Sequence, residues 1–126
     1  MKRIFPLFLA AFLLAGCAAP AVEASYRQIN MSEAQRMMES ETDYIILDVR
    51  TEAEFAEKHI PGAINIPNET IGADEIARLP DKEQLIMVYF RSGNRSKQAA
   101  EKLVRLGYSN IVEFGGINDW PGETVA

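Results

Sequence analysis

The fold of this chain is decided by the stretch Leu85-Ile86-Met87-Val88-Tyr89-Phe90, followed by Arg91-Ser92-Gly93-Asn94-Arg95 and Ser96. Six consecutive apolar residues, bounded by a polar segment that contains glycine, predict a buried strand ending in a short turn. Apolar residues then recur at helical spacing at positions 99, 100, 103, 104 and 106, and Gly107 is suited to a left-handed helix end. The stretch therefore predicts a strand, a turn and a helix in direct succession.

The turn has the composition of an anion cradle. Gly93 and Asn94 tolerate left-handed dihedrals that point successive backbone N–H groups inward, and the following helix adds the unpaired donors of its first turn. Arg91 and Arg95 add guanidinium groups that could neutralise a bound oxyanion or a negatively charged nucleophile. Alternatively, both arginines are solvated surface charges on an ordinary connection. This stretch alone leaves the two interpretations equally open.

Composition predicts one acidic domain. The chain has 126 residues, of which 48% are hydrophobic, enough for one core and too few for two domains. The formal charge is -5, from 13 basic and 18 acidic residues; removal of Lys2 and Arg3 with a signal segment would leave 11 basic residues and a charge of 11 − 18 = -7. This acidity argues against nucleic acid as a partner.

The first residues predict export and a lipid anchor. Met1-Lys2-Arg3 is basic, and the apolar run 4–15 has the length of a signal-peptide core, shorter than the ~20 residues that span a bilayer. Leu14-Ala15-Gly16-Cys17 resembles the bacterial lipobox, in which the cysteine receives a diacylglyceryl group and becomes the first mature residue. We therefore expect a lipoprotein signal peptide at 1–16, a lipidated tether at 17–25 and a domain at 26–126. The alternatives are a plain secretory signal and an uncleaved anchor.

Cys17 is the only cysteine and His59 the only histidine. The chain therefore forms no internal disulfide, and with Cys17 lipidated it offers no thiol for redox chemistry or metal binding. A lone histidine supports neither a metal cluster nor a Ser–His relay, so a structural role in the turn is favoured. We expect no metal and no cofactor.

Strands alternate with helices along the mature chain. This order predicts an α/β domain with a mostly parallel sheet, whose functional site lies beyond the carboxyl ends of the strands. Ser32 and Gln35, and then Thr51 and Glu54, have capping-box spacing; Asn68 or Thr70 is the expected cap of the third helix. The predicted strands are 26–29, 44–49, 63–66, 85–90 and 110–114; the predicted helices are 32–39, 52–58, 73–79 and 96–106, with one helical turn at 117–120.

The loop between the central strand and its helix resembles the active-site loop of the rhodanese (thiosulfate sulfurtransferase) family. Other motifs of that family follow in the right order over roughly residues 26–120: Leu47-Asp48-Val49-Arg50, Glu54-Phe55, His59-Ile60-Pro61-Gly62-Ala63, Asn65-Ile66-Pro67, Gly115-Gly116 and Trp120. The resemblance implies a rhodanese-like five-stranded, mostly parallel sheet flanked by helices. It also implies sulfur transfer, because the six positions 90–95 match the sulfurtransferase loop, whereas phosphatases of this fold have one residue more.

Phe90 departs from the family pattern. At this position the family has the cysteine whose thiolate carries sulfur as a persulfide, and a benzyl group cannot attack sulfur. The resemblance therefore implies a catalytically silent, membrane-anchored domain, a pseudoenzyme. The alternatives are a sulfurtransferase in a parent form that carries the cysteine, since Cys and Phe codons differ by one base, and an anion- or partner-binding module. The Phe90 ring either packs in the core, fills the anion cradle or is pushed out of it.

The remaining candidates have supporting roles. Asp48 and Arg50 are expected to fix the loop by hydrogen bonds and ion pairing, and Trp120 to pack over the sheet. Ser92 and Ser96 lack a nearby general base in the sequence, which argues against their use as nucleophiles. The expected partners are membrane lipid through Cys17 and a small sulfur oxyanion at the loop, and no protein partner follows from the sequence. The expected location is the cell envelope, on the periplasmic side in a Gram-negative organism.

Overall fold

Strands and helices alternate along residues 25–126, the part of the chain that the computed structural model describes, apart from residues 73 and 93. The strands are β1 (Arg27–Gln28), β2 (Tyr44–Asp48), β3 (Ile64–Asn65), β4 (Leu85–Phe90) and β5 (Ile111–Gly116). The helices are α1 (Met31–Ser40), α2 (Glu52–Glu57) and α3 (Asn94–Arg105), with 3₁₀ turns at Asn68–Thr70 and Ile117–Asp119. No helix among these residues is long and apolar enough to cross a membrane.

The five strands form one parallel sheet in the order β1-β5-β4-β2-β3. β4 lies at the centre, where it pairs with β2 from Leu85 opposite Tyr44 to Tyr89 opposite Asp48. β5 pairs with the other edge of β4. The predicted α/β class with a five-stranded parallel sheet is confirmed, and the predicted edge strand near the start of the domain is present as β1. The carboxyl ends of β2, β4 and β5 therefore lie side by side.

The apolar run of β4 is explained by burial on both faces of the sheet. Ile86, Val88 and Phe90 lie in the core on the side covered by α3, which contributes Ala99 and Leu103. The alternate residues Leu85, Met87 and Tyr89 lie in the second core cluster, on the α1 side. A strand covered by helices on both faces loses the apolar-polar alternation of a half-exposed strand. This is the pattern that the sequence shows.

The first helix begins earlier than predicted, and its cap is a different pair of residues. The cap is Asn30, whose side chain accepts a hydrogen bond from the backbone N–H of Glu33 at 2.8 Å. The Glu33 carboxylate accepts in return from the backbone N–H of Asn30 at 3.0 Å. Ser32 lies inside the helix, so the predicted Ser32–Gln35 box is wrong. The predicted Thr51–Glu54 box is confirmed at the start of α2.

The predicted helix at 73–79 is absent from the described residues of that segment, which lack helical structure after the 3₁₀ turn. Ile71 and Leu79 are both buried in the core on the α3 side. The hydroxyl of Tyr108 donates a hydrogen bond to the backbone oxygen of Leu79. These tertiary contacts fix the path of the described residues, which include a turn closed by the Leu79 N–H donating to the Ile76 oxygen at 2.9 Å, and they override the weak helical pattern. Residue 73 itself lies outside the described part of the chain.

Candidate active site

The loop that follows β4 lines an open depression of about 710 Å³ at the carboxyl ends of the strands. The lining residues come from the start of α2, the end of β4, the connection after it and the start of α3: Thr51, Glu54, Phe90, Arg91, Ser92, Asn94 and Arg95. α3 begins at Asn94, two residues before the predicted start. The structure thus brings together the described residues of the predicted loop. Gly93 lies outside the described residues.

Phe90 is buried at the end of β4. It is 8% exposed and belongs to the core cluster on the α3 side. The guanidinium carbon of Arg95 lies 5.4 Å from the centre of its ring, within the range of a cation–π interaction. Of the arrangements open to this side chain, the structure shows the ring packed in the core beneath Arg95 and not expelled into solvent.

Both loop arginines are paired with carboxylates from other segments. Arg91 Nη2 lies 3.5 Å from Glu54 Oε2, and Arg95 Nη1 lies 2.7 Å from Glu69 Oε2. The side chains of both arginines are at least half exposed. Exposed ion pairs contribute about 0–1 kcal/mol, so another anion could replace either carboxylate at little cost.

Glu54 is held ionised next to the loop. Burial opposes its ionisation, but hydrogen bonds from Thr51 and the charges of Arg91 and Arg50 outweigh burial and lower the pKa of the Glu54 carboxyl from its usual value. One carboxylate therefore completes the helix cap through Oε1 and pairs with Arg91 through Oε2. The capping box of α2 is in this way part of the wall of the depression.

The backbone of the loop lies directly against β5. A Cβ atom on Gly116 would lie 1.9 Å from the carbonyl oxygen of Arg91, closer than any real contact, so this position requires glycine. The backbone N–H of Asn118 donates to the same carbonyl oxygen at 3.3 Å. The β4–β5 register also shifts between Val88 and Phe90, which brings Phe90 opposite Gly116. The Gly115-Gly116 pair thus allows the loop its close approach to the sheet.

Asp48 and Arg50 form a buried ion pair at the end of β2. Arg50 Nη2 lies 2.7 Å from Asp48 Oδ2, and it also donates to the backbone oxygen of Lys58 at 2.6 Å. The hydroxyl of Tyr89 donates to Asp48 Oδ2 at 2.6 Å and accepts from the backbone N–H of Ile60 at 3.1 Å. Among the described residues, these bonds join β2, β4 and the segment around residue 60, and none of them runs to the loop 91–95.

The surroundings of Tyr89 in this cluster shift the pKa of its hydroxyl. Burial, followed by the hydrogen bond to Asp48, raises the pKa of Tyr89 well above its ordinary value near 10. Tyr89 was not singled out by sequence reasoning, because an aromatic residue in an apolar strand looks like ordinary core. Its hydroxyl supports the end of β4 immediately before Phe90.

Ser96 has a carboxylate partner that the sequence did not indicate. Its hydroxyl donates to Oε2 of Glu113 in β5, and both side chains are buried. The expectation that Ser96 lacks a nearby general base is therefore wrong as to proximity, because β5 brings a carboxylate 17 positions away to the start of α3. The available signal was the single charged residue in the apolar segment Ile111-Val112-Glu113-Phe114. Burial keeps the Ser96 hydroxyl from acting on a substrate in the depression.

The contacts of His59 and Trp120 are packing contacts and hydrogen bonds to the backbone. The Nδ1 atom of His59 lies 2.8 Å from the backbone oxygen of Phe55, and the two rings stack with centroids 3.7 Å apart. The Trp120 ring lies 6.3 Å from that of Phe114 in the core on the α1 side. Within the described range, no group of three or more His, Cys, Asp or Glu side chains has the arrangement of a metal site. Cys17 lies outside the described residues.

The fold and the site define a class of protein: an α/β domain with a parallel sheet and a site in the loop that follows the central strand. Residues 30–123 match the rhodanese-like domain family. The chain belongs to the rhodanese-like domain family. Residues 1–18 match the prokaryotic membrane lipoprotein lipid attachment site, which agrees with the predicted anchor at Cys17 and with a membrane-anchored cell-envelope lipoprotein.

Relatives and solved structures agree with this family. A sulfurtransferase of Allochromatium vinosum is 37% identical over 90 residues, covering 71% of this chain and 81% of the relative. The thiosulfate sulfurtransferase PspE of Escherichia coli is 36% identical over 73 residues, covering 58% of this chain and 70% of the relative. A structure described as a rhodanese with anions from E. coli superposes with a TM-score of 0.59 at 35% identity, covering 65% of this chain and 96% of that one.

Proposed function

We propose that this protein is a cell-envelope lipoprotein whose rhodanese-like domain is catalytically silent. The observation that carries the proposal is Phe90, which stands at the end of β4 where the family resemblance places the nucleophilic cysteine. Its ring is buried in the core and has no lone pair with which to attack sulfur. The proposed site comprises Phe90 and the loop residues Arg91, Ser92, Gly93, Asn94 and Arg95; Asp48 and Arg50 support it indirectly, by joining the ends of β2 and β4.

Sulfur transfer of the rhodanese type needs a thiolate at the site. The thiolate would attack the sulfane sulfur of thiosulfate, a new S–S bond would form, and sulfite would leave with the electrons of the broken S–S bond. None of the side chains lining the depression carries a thiol. The only cysteine of the chain, Cys17, is proposed to carry lipid. This sequence therefore provides no nucleophile for the first step of the reaction.

The proposed organisation follows from the lipoprotein match. A signal peptide at 1–16 is removed, the tether 17–25 carries lipid on Cys17, and the domain 26–126 lies outside the membrane. In a Gram-negative organism the proposed location of the domain is the periplasmic side of the membrane. The lipid anchor holds the depression near a membrane surface, where it would meet partners of the cell envelope.

A second candidate function is binding of an oxyanion or an acidic partner without chemistry. It is favoured by Arg91 and Arg95, which line the depression, are at least half exposed, and form ion pairs with the partly exposed Glu54 and the exposed Glu69. The structural neighbour described as a rhodanese with anions is consistent with anion binding in related proteins. In this function the loop is retained and the nucleophile is dispensable.

The test compares the unaltered site with Phe90→Cys. Both proteins are prepared as the chain from residue 17 with Cys17→Ser, so that the introduced cysteine is the only thiol. The Phe90 form should transfer no sulfur from thiosulfate to cyanide above a control without enzyme. The Phe90→Cys form should gain one sulfur by intact mass after thiosulfate treatment, because the loop donors and arginines lower a thiol pKa from ~8.5 toward roughly 3.5–7.5.

Two results would contradict the proposal that this domain is silent because Phe90 replaces the nucleophile. Turnover by a sequence-verified, homogeneous Phe90 preparation would require another nucleophile and would exclude a silent domain. A folded Phe90→Cys protein that gains no sulfur would show that more than the nucleophile has been lost, which would favour the binding function over an inactivated sulfurtransferase. Resequencing of the source determines whether a parent form with cysteine exists, the remaining alternative.

A further inference from the structure

Glu113 is a buried carboxylate beside the loop that the proposed function does not use. It is 3% exposed and lies in β5 between two buried apolar residues. Burying a carboxylate is costly unless hydrogen bonds compensate for the lost water. Three donors among the described residues surround it: the Ser96 hydroxyl and the Gly115 N–H, at 2.7 Å, both meet Oε2, and Gln28 Nε2 lies 3.4 Å from Oε1.

The two donors to Oε2 come from the two elements next to the loop, helix α3 and strand β5. Ser96 is the third residue of α3, so its hydroxyl fixes the position of the helix start that follows the loop. Gly115 has a φ of +102°, in the region that favours glycine, and the carboxylate holds its N–H. The next residue, Gly116, lies directly against the carbonyl of Arg91. One oxygen atom therefore connects the helix start to the glycine turn on which the loop rests.

We propose that Glu113 is the positioning residue of the rhodanese-like loop: its Oε2 sets the distance between the start of α3 and the Gly115-Gly116 turn, and thereby the positions of Arg91, Ser92 and Asn94. The inference rests on the proposed function only in taking this loop as the site. It assigns no chemical step to Glu113, which is buried away from the depression.

The geometry distinguishes the role of the oxygen from that of the charge. Because both donors meet the same atom, the amide oxygen of Glu113→Gln would accept both bonds. Its NH₂ group would face Gln28, whose side-chain oxygen accepts after rotation of the terminal amide. Glu113→Ala loses every acceptor and leaves the buried Ser96 hydroxyl without this partner. The loop should therefore tolerate Gln and be displaced by Ala.

The first experiment uses the chain from residue 17 with Cys17→Ser and with Phe90 retained. Two-dimensional amide NMR spectra are compared for Glu113→Ala, Glu113→Gln and the control Tyr108→Phe. The control removes a buried hydrogen bond, from Tyr108 to the Leu79 backbone, away from the loop. Glu113→Ala should shift the amide signals of Arg91, Ser92 and Asn94 and speed their hydrogen exchange. Glu113→Gln and Tyr108→Phe should leave these signals in place, even where the melting temperature falls.

The second experiment repeats the substitutions in the Phe90→Cys protein. Glu113→Ala should slow persulfide formation from thiosulfate by about tenfold or more, since small displacements of reacting groups reduce rates strongly, and Glu113→Gln should stay within about threefold. If Phe90→Cys alone gains no sulfur, the proposed function fails, whereas the amide spectra still test Glu113. Loop signals in Glu113→Ala that match those of Tyr108→Phe would overturn the inference, as would a Gln variant as disturbed as the Ala variant.

Discussion

At the scale of single residues, Phe90 is part of the core as well as the residue in the nucleophile position. Phe90→Cys should lower the free energy of unfolding by about 2 kcal/mol or more, because removal of a buried ring leaves a cavity that the sheet and α3 cannot close fully. Chemical denaturation against the parent measures the loss, and Phe90→Leu, which keeps apolar bulk, should lose less. A Phe90→Cys protein more stable than its parent would instead show that the ring is overpacked.

The second residue-scale prediction concerns Tyr89 and alkaline pH. Its folded pKa is raised above the unfolded value near 10, so its stabilising contribution is complete below about pH 10 and is lost as the pH rises toward the folded pKa. Tyr89→Phe should cost about 1–3 kcal/mol at neutral pH, since Asp48 and the Ile60 N–H each lose a buried partner. It should also reduce the decline of stability above pH 10. Urea midpoints over this range would refute the role of Tyr89 if both proteins decline in parallel.

At the scale of elements, the contact between β5 and the loop depends on Gly116. Gly116→Ala should destabilise the domain by about 1–3 kcal/mol, because the new methyl group would collide with the Arg91 carbonyl and the Ser92 amide and push the loop off the sheet. Gly72→Ala is the matched control, since its Cβ would meet nothing within 4 Å and its backbone is not left-handed. Equal unfolding midpoints for the two variants would show that the loop moves away from β5 without cost.

At the scale of the whole molecule, one cysteine is expected to hold the protein at a membrane. Cys17→Ser should release the protein from the membrane fraction and prevent cleavage before residue 17, because the lipid is attached through the thiol and a multiply acylated cysteine anchors stably. Ala19→Ser adds a hydroxyl nearby without removing the thiol and should remain membrane-bound. A Cys17→Ser protein that stays with the membrane and is processed at the same bond would refute lipidation.

Prediction from the sequence succeeded where structure follows from neighbouring residues. The strand 85–90 was predicted in place, as was the Thr51–Glu54 cap, and the following helix was predicted with its start two residues late. It failed where two local patterns competed or where distant contacts prevailed. Ser32 and Asn30 both precede a suitable partner by three residues, and the structure uses Asn30. The segment 73–79 carried a weak helical pattern, but burial of Ile71 and Leu79 directs its path.

The sequence by itself determined the order of the five strands, the burial of β4, the lipobox at Cys17 and the absence of a second thiol. These features depend on composition and on periodicity over a few residues, which a linear sequence displays directly. Only the tertiary structure decided which side chains meet. Arg95 pairs with Glu69 across 26 positions, Ser96 with Glu113 across 17, and Tyr89 with Asp48 across 41. Such pairs depend on strand order, register and the shift between β4 and β5, because these bring residues far apart in sequence to the same end of the sheet.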